Sequence, residues 1–464
     1  MEESFDIICI GAGPAGEALT SDLAGSGLTL AVVEKALVGG ECAYYGCMPS
    51  KTLLRSAEVI AEAGRARELA ASRVEWAVDF HKVHARVAWM TRDLDDTRSA
   101  RALEDEGAKV FRGEGRLLGP RTVMVGEQRL TARRSVVIAT GTAPSAPPIP
   151  GLDTVSFWTN REAVHATELP ETLVVIGSGA VGVELGQAFA RLGSKVTILE
   201  MASRIMQAEE PEAGAFLSAR LTREGIKVQT GVTIQGVQRD AGGIRVNLAD
   251  GTSHTGTRLL IAAGRRPNLD GIDLQAAGIS KTPRGMIQVD PKTLRAGDGI
   301  YAVGDINGLG GFTHLADYHG RLVAHALRGR PAVADHAAVP RVTFTDPEIG
   351  SVGMTEQQAR AAGTAVETVS QDVGHTGRGY IHGEPGGVIK LVADTDHDIL
   401  VGATIVSPRA GEMLSELTMA IKLRIPVEVL SDTIHPFPSF SRVFQGMFAE
   451  LVKKVGARRR VTVG

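Results

Sequence analysis

An α/β fold is predicted by three features of this 464-residue chain: a glycine-marked βαβ unit at its start, a second copy near its middle, and a change of texture near residue 338. The first unit is the apolar strand Phe5–Ile10, the turn Gly11-Ala12-Gly13-Pro14-Ala15-Gly16, a helix to about Ser26, and a strand from Thr29 ending at Glu34. The second is Thr172–Ile176, Gly177-Ser178-Gly179-Ala180-Val181-Gly182, a helix to Leu192, and a strand from Lys195 ending at Glu200. First glycine and closing glutamate stand 23 residues apart in both copies (11 to 34, 177 to 200). One such match is a modest signal, but two in register predict two Rossmann-like dinucleotide-binding domains. From about Pro340 alternating strands (Arg341–Phe344, Gly387–Leu391, Leu400–Ile405) precede a long helix near Ala410–Lys422, which reads as a separate C-terminal α+β domain.

The segments between these units follow in order. A long polar helical region is expected over roughly His81–Glu106, then short strands near Val110, Thr122–Val125 and Val136–Ile138, closed by Ala139-Thr140-Gly141. The proline-rich stretch Pro144–Pro150 reads as a domain linker. After the second unit come strands near Val228, Ile244–Leu248 and Leu259–Ala262. Gly299–Asp305 reads as a strand running into a turn, with a helix from about Thr313. The basic end, Lys453-Lys454 and Arg458-Arg459-Arg460, reads as a solvated tail. The boundaries expected are 1–145 with 271–337 for the first nucleotide domain, 146–270 for the second, and 338–464 for the last.

Composition narrows the function. Fifty basic against 53 acidic residues give a formal charge of −3, which speaks against nucleic-acid and membrane-surface binding. Glu2, Glu3 and Asp6 run straight into a strand, so no signal peptide is read and a cytoplasmic location is expected. Apolar runs are broken by glycines and charges, and none makes a membrane span. Three cysteines are too few for a structural disulfide framework, so a close pair among them points to catalysis or metal binding.

The glycines of each fingerprint permit a tight strand-to-helix turn and let backbone N–H groups approach a pyrophosphate at the helix N-terminus. Glu34 and Glu200 are placed to accept ribose hydroxyls. A 2′-phosphate opposite Glu200 would meet like charge, and Met201-Ala202-Ser203 offer no replacement cation, although Arg204 follows. NAD(H) is therefore the expected second nucleotide.

Cys42 and Cys47 lie five positions apart in Gly40-Glu41-Cys42-Ala43-Tyr44-Tyr45-Gly46-Cys47-Met48-Pro49-Ser50-Lys51. A thiolate gains from a helix N-terminus and a nearby cation, here Lys51. Glycines 39, 40 and 46 ease an irregular helix start, and Pro49 is expected as a local distortion. A redox pair is the favoured reading. A zinc pair competes weakly, because no second cysteine pair or closely spaced histidine accompanies it, and no metal is expected. Cys9, inside an apolar strand, reads as an inert buried residue. Tyr44 and Tyr45 either shape the cofactor or substrate side or serve as aromatic packing.

On these motifs the chain resembles the class I pyridine nucleotide-disulfide oxidoreductases, the group containing dihydrolipoamide dehydrogenase, glutathione reductase and mercuric reductase. The resemblance spans essentially the whole length. It implies FAD on the first domain, held by Gly11, Gly13, Pro14, Ala15, Gly16, Glu34, Lys35, Gly40, Thr140 and Gly141, with Cys42 and Lys51 beside it. Gly304-Asp305, with His314 and Ala316, resembles the second FAD motif, Asp305 binding the ribityl chain. Gly177, Gly179, Gly182 and Glu200 resemble the NAD(H) fingerprint, and Gly264-Arg265 the return crossing to the flavin domain. Cys47 would be the flavin-proximal charge-transfer sulfur, Cys42 the interchange sulfur, and Lys51 would pair with Glu184. A C-terminal dimerisation domain and a homodimer with sites made across it are implied.

One departure stands near the C-terminus. Members acting on disulfides carry His-Pro and, five residues after that histidine, a glutamate, which together serve as acid and base for the interchange thiol of the other subunit. Aligning Pro438 with that proline puts Phe437 and Arg442 at these positions, while His435 corresponds to an additional upstream histidine. Phenylalanine moves no proton, and general acid–base help is typically worth about 10²–10⁴-fold. His435 is a candidate substitute base and Arg442 a candidate partner for an anionic substrate group.

The expected activity is electron transfer from NADH through FAD to Cys42–Cys47 and on to a small thiol or disulfide substrate, or the reverse. Alternatives are a quinone or other diffusible-acceptor reductase, a ketopropyl-coenzyme M carboxylase-like enzyme, which shares the phenylalanine, and a subunit of a larger dehydrogenase complex.

Overall fold

Strand alternation builds the first sheet. The computed structural model describes residues 2–383 and 386–462, with side chains of the last helix described to Gly456. Strands Arg295–Gly297, Ile300–Ala302, Gln128–Ile138, Glu2–Ile10, Leu30–Glu34 and Ala108–Arg112 lie side by side in that order. Thr122–Val125 extends the sheet as an antiparallel partner of Gln128–Ile138, and Gly115–Gly119 pairs antiparallel with Thr122–Val125 in turn. Side chains alternate across a strand. Ile7 and Cys9 therefore pack against the helices Pro14–Leu23 and Thr313–Leu327, while Ile8 and Ile10 meet Phe111, Leu117 and Val123 on the other face. Burial pushes the Cys9 thiol up to about 12, which keeps it protonated and unreactive.

The second sheet is parallel throughout, in the order Lys227–Thr230, Lys195–Glu200, Thr172–Ile176 and Arg258–Ile261. A three-stranded antiparallel sheet, Ile234–Asp240, Gly243–Leu248 and Ser253–Gly256, covers one side of it. The chain enters this unit through Thr142–Pro144 and leaves through Arg265–Pro267, and these two crossings pair antiparallel. The third sheet is five-stranded and antiparallel: Pro340–Thr343, Glu348–Gly353, Ile399–Ser407, Val388–Asp394 and Val366–Gln371. The helices Ala410–Lys422 and Val443–Thr462 bury Leu414, Leu417, Phe444 and Phe448 against it.

Three expectations are corrected. The helical stretch over 81–106 is divided into Phe80–Met90 and Thr97–Asp105, with Arg92, Asp93 and Leu94 at positive φ between them. The break lets the Asp96 carboxylate accept from Val38 N at 2.6 Å and from Arg112, tying this region to the segment before the cysteines. The basic end is no loose tail: the helix Val443–Thr462 carries Lys453, Lys454 and the backbone of Arg458–Arg460, whose side chains lie outside those described. Phe444, Met447, Phe448, Leu451 and Val455 recur at helical spacing and are buried, and Lys454 donates to Thr368 O at 2.8 Å. Pro49 distorts nothing. The helix begins at Cys47, so the proline falls in its first turn, where a missing N–H costs no bond.

The parallel sheet and the C-terminal sheet are clamped by charge. Lys390 Nζ, on strand Val388–Asp394, lies 3.0, 2.8 and 2.8 Å from carboxylates of Glu210, Glu212 and Glu356. Its side chain is 7% exposed and that of Glu210 3%. Arg341 adds a forked pair to Glu209 next door. Lys390→Met would leave Glu210 buried without its cation, and removing one partner of a buried pair costs about 3–5 kcal/mol. We expect a lower denaturation midpoint for that variant, and an unchanged midpoint would show that the clamp is dispensable.

Candidate active site

Each fingerprint shows why it needs glycine. A Cβ on Gly11 (φ +108°) would meet Ala139 O at 2.3 Å, and one on Gly16 would meet Gly11 O at 2.3 Å. The second copy repeats this: Gly177 (φ +102°) against Ala262 O at 2.5 Å, and Gly182 against Gly177 O at 2.0 Å. In both, the following helix starts at a glycine, Gly13 or Gly179, with no side-chain cap. Their first N–H groups are therefore left for another acceptor.

The two glutamates behave alike. Glu34 accepts from Ala12 N at 2.8 Å and Ala36 N at 2.7 Å, and Glu200 from Ser178 N at 2.9 Å and Ala202 N at 2.8 Å. Ser178 Oγ adds a bond to Glu200 at 2.6 Å. Arg204 is turned away, its guanidinium donating to the carbonyls of Met206, Gln207 and Glu209 at 2.8–3.0 Å.

The cysteine segment is seated on the first fingerprint. Gly39 N donates to Ala12 O at 2.8 Å, and a Cβ on Gly40 would stand 2.9 Å from Gly13 Cα. Cys42 lies in the short helix Gly40–Tyr44, and Cys47 opens the helix Cys47–Gly64. Gly46 joins them, where a Cβ would be 3.1 Å from Glu41 O. Both thiols are free, and the thiol of Cys42 hydrogen-bonds Cys47. That bond lowers the Cys47 thiol to about 6, against the opposing effect of burial. The Thr313 hydroxyl, 3.2 Å from Cys47 Sγ, and the Lys51 charge assist. The same bond and burial push Cys42 strongly upward. The surroundings thus favour a thiolate at Cys47, which lies at the start of its own helix and beside the start of Thr313–Leu327.

Lys51 Nζ meets Glu184 Oε2 at 2.8 Å, and Glu184 Oε1 accepts from Phe344 N at 2.8 Å. Asp305 accepts from Thr142 Oγ1 at 2.8 Å, and Arg265 Nε donates to that same hydroxyl at 2.8 Å. Gly304 N donates to buried His319 Nδ1 at 3.2 Å, and Ala316 packs against Gly304. Asn268 holds Thr140 O at 3.0 Å, while the buried Thr140 hydroxyl finds no partner among the described residues. That orphaned hydroxyl, the uncapped helix starts and the close glycine contacts fit a dinucleotide laid across the strand ends.

Other candidates stand apart. Lys35 pairs with Glu114 at the surface, and His314 faces Pro340 O at 2.8 Å. Gly141 and Gly264 flank the paired crossings, both at positive φ. Phe437 and Arg442 are exposed on the C-terminal domain. His435 is buried, with Nε2 2.7 Å from Glu416 and Nδ1 3.0 Å from Thr433 O. With both nitrogens engaged, rotation to serve as a substitute base would break two bonds.

Sequence reasoning missed a set of neighbours. Glu41 is gripped by Asn160 at 3.0 Å and by Arg161 at 2.6 and 3.0 Å, with Arg265 3.6 Å away. Arg161 also covers the Tyr45 ring at 4.7 Å, and His165 Nε2 meets Tyr44 O at 2.7 Å. Tyr44 is buried, so the tyrosines anchor the loop to the second unit. Only Glu41, adjoining Cys42, carried any sequence signal; Asn160 and Arg161 lie outside every motif.

Comparison with known proteins agrees with this arrangement. Residues 5–338 match the pyridine nucleotide-disulphide oxidoreductase family and residues 339–448 its dimerisation domain. The chain is 36% identical over 446 residues to the dihydrolipoyl dehydrogenase of Thermus scotoductus, covering 95% of each chain. It is 32% identical to the mercuric reductase of Staphylococcus aureus, over 93% of this chain and 80% of that one. Among solved structures, the HOCl-induced flavoprotein disulfide reductase RclA of Escherichia coli superimposes with a TM-score of 0.85 at 28% identity, over 96% of this chain and 99% of that one. The chain belongs to the pyridine nucleotide-disulphide oxidoreductase family.

Proposed function

We propose that this flavoprotein passes an electron pair from NADH to the Cys42–Cys47 pair and on to a small disulfide, in a reducing cytoplasm and as a homodimer. The observation that carries the reading is the geometry of the pair: two free cysteines five residues apart, with Cys47 Sγ at the start of its helix, 3.2 Å from the Thr313 hydroxyl and one turn before Lys51. Bound FAD would accept a hydride from the nicotinamide and deliver the electron pair to the disulfide. Lys51 and Thr313 stabilise the sulfur that receives it, and Cys42 is left for thiol–disulfide exchange.

Preference for NADH rests on Glu200, whose carboxylate occupies the ribose end of the second strand, and on Arg204, whose guanidinium donates to four backbone carbonyls. A 2′-phosphate there would meet a negative charge with no spare cation beside it.

Anaerobic titration with NADH should give a long-wavelength thiolate-to-flavin band at the two-electron stage that Cys47→Ser lacks. Flavin bleaching without the band would remove the disulfide from the pathway. Since the Cys47 thiol lies low, the band should persist through neutral pH and fade only as pH drops through about 6. Lys51→Met withdraws a stabilising charge, so its midpoint should move up; a parental midpoint near an ordinary thiol, about 8.5, would contradict the geometry. NADH should exceed NADPH in kcat/KM by at least about tenfold, the equivalent of one 1.4 kcal/mol clash. Glu200→Ala should narrow that gap, chiefly through the KM for NADPH, and equal use of both by the parent would refute the assignment.

A further inference from the structure

We propose that His375, oriented by Asp372, supplies the acid/base function that Phe437 and Arg442 cannot, acting on Cys42 of a second copy of the chain. The inference rests on the disulfide-reductase reading above.

The two residues form a pair built for proton transfer. His375 Nδ1 lies 3.0 Å from Asp372 Oδ2, and Gly374 N fixes the other carboxylate oxygen at 2.8 Å. A carboxylate on one ring nitrogen sets the tautomer and leaves Nε2 for a reacting group. The His375 side chain is 72% exposed, unlike that of His435, which is 4% exposed and held by Glu416. The Tyr380 ring meets His375 edge-on at 6.4 Å and steadies it.

Placement selects this pair. A Cβ on Gly377, two residues after His375, would lie 3.4 Å from the Phe437 ring. Gln371, next to Asp372, lines the same shallow cavity as Arg442. The segment 371–377 thus borders both positions where the dyad is lost.

His375 cannot serve its own Cys42. The same segment runs on to Gly383, which packs on Leu69, beyond the far end of the 18-residue helix Cys47–Gly64. At 1.5 Å per residue the far end of that helix lies roughly 27 Å from its cysteine end. A second copy is the fitting partner. Phe437 is 77% exposed, Ile434 92%, Leu423 62% and Met419 60%, all within the segment matched to the dimerisation domain. An apolar face of this kind is covered by another surface.

The step balances. His375 Nε2 takes the proton of the Cys42 thiol as that sulfur attacks one sulfur of a disulfide R–S–S–R′, forming Cys42–S–S–R as the S–S bond breaks. Protonated His375 gives its proton to the departing R′–S⁻. Cys47 then displaces R–S⁻, which takes up a proton, and the Cys42–Cys47 disulfide returns to be reduced by NADH through FAD.

The test compares two disulfides on the holoenzyme dimer. Hydroxyethyl disulfide releases a basic thiol that needs a proton, whereas dithiobis-nitrobenzoate releases an acidic one that does not. His375→Gln should slow NADH-driven reduction of the first by about 10²-fold or more, and that of the second far less. Hybrid dimers of His375→Gln with Cys42→Ser chains should regain turnover, since one site then pairs an intact Cys42 with an intact His375. Equal losses on both disulfides, no loss on either, or hybrids without recovery would overturn the proposal. Turnover by Cys42→Ser at the parental rate, or none by the parent, would instead bring down the disulfide reading and this inference with it.

Discussion

One buried carboxylate holds the site together. Glu184 side-chain exposure is 4%, and an unpaired charge at such a position costs several kcal/mol. It is satisfied on both oxygens, by Lys51 of the redox helix and by Phe344 N at the end of a C-terminal strand. Glu184 itself belongs to the helix that opens at the second fingerprint. A single side chain therefore fixes the redox helix, the second nucleotide unit and the C-terminal sheet relative to one another. Lys51, four residues after Cys47, is held one turn from the thiolate it stabilises and lies over the Phe344 ring at 4.8 Å. Position and charge at Cys47 consequently depend on the same contact.

The arrangement explains what was legible in the sequence. Both βαβ units could be read because their glycines answer to backbone collisions within a few residues or across one strand, and such constraints leave a fixed spacing. The glutamate at the end of each unit was legible for the same reason: it closes on N–H groups of its own turn. The Lys51–Glu184 pair spans 133 residues and could be named only through the resemblance.

What escaped reading was set by tertiary contact. Strands Gly115–Gly119, Ile234–Asp240 and Ser253–Gly256 are short and rich in glycine or polar residues, and they exist because a neighbouring strand completes their hydrogen bonds. The split of the 81–106 helical region follows from Asp96 reaching Val38 and Arg112. Polar composition alone carries no trace of that reach. The basic end was read as a tail because Lys453, Lys454 and Arg458–Arg460 follow the turns whose buried Phe444, Met447, Phe448 and Leu451 dock the helix.

Glu41 raises the remaining physical question, since it places a carboxylate directly before Cys42. A bare negative charge there would oppose any thiolate at Cys42. The structure surrounds it instead with Asn160, Arg161 and Arg265, so that its charge is matched by two guanidinium groups. Arg265 continues through Thr142 to Asp305 on the opposite wall. The short cysteine helix is thereby braced on both sides, by the second nucleotide unit and by the paired crossings between domains. A loop so fixed cannot swing to meet its substrate, so protons and substrate must come to Cys42 from the side that its own chain leaves open.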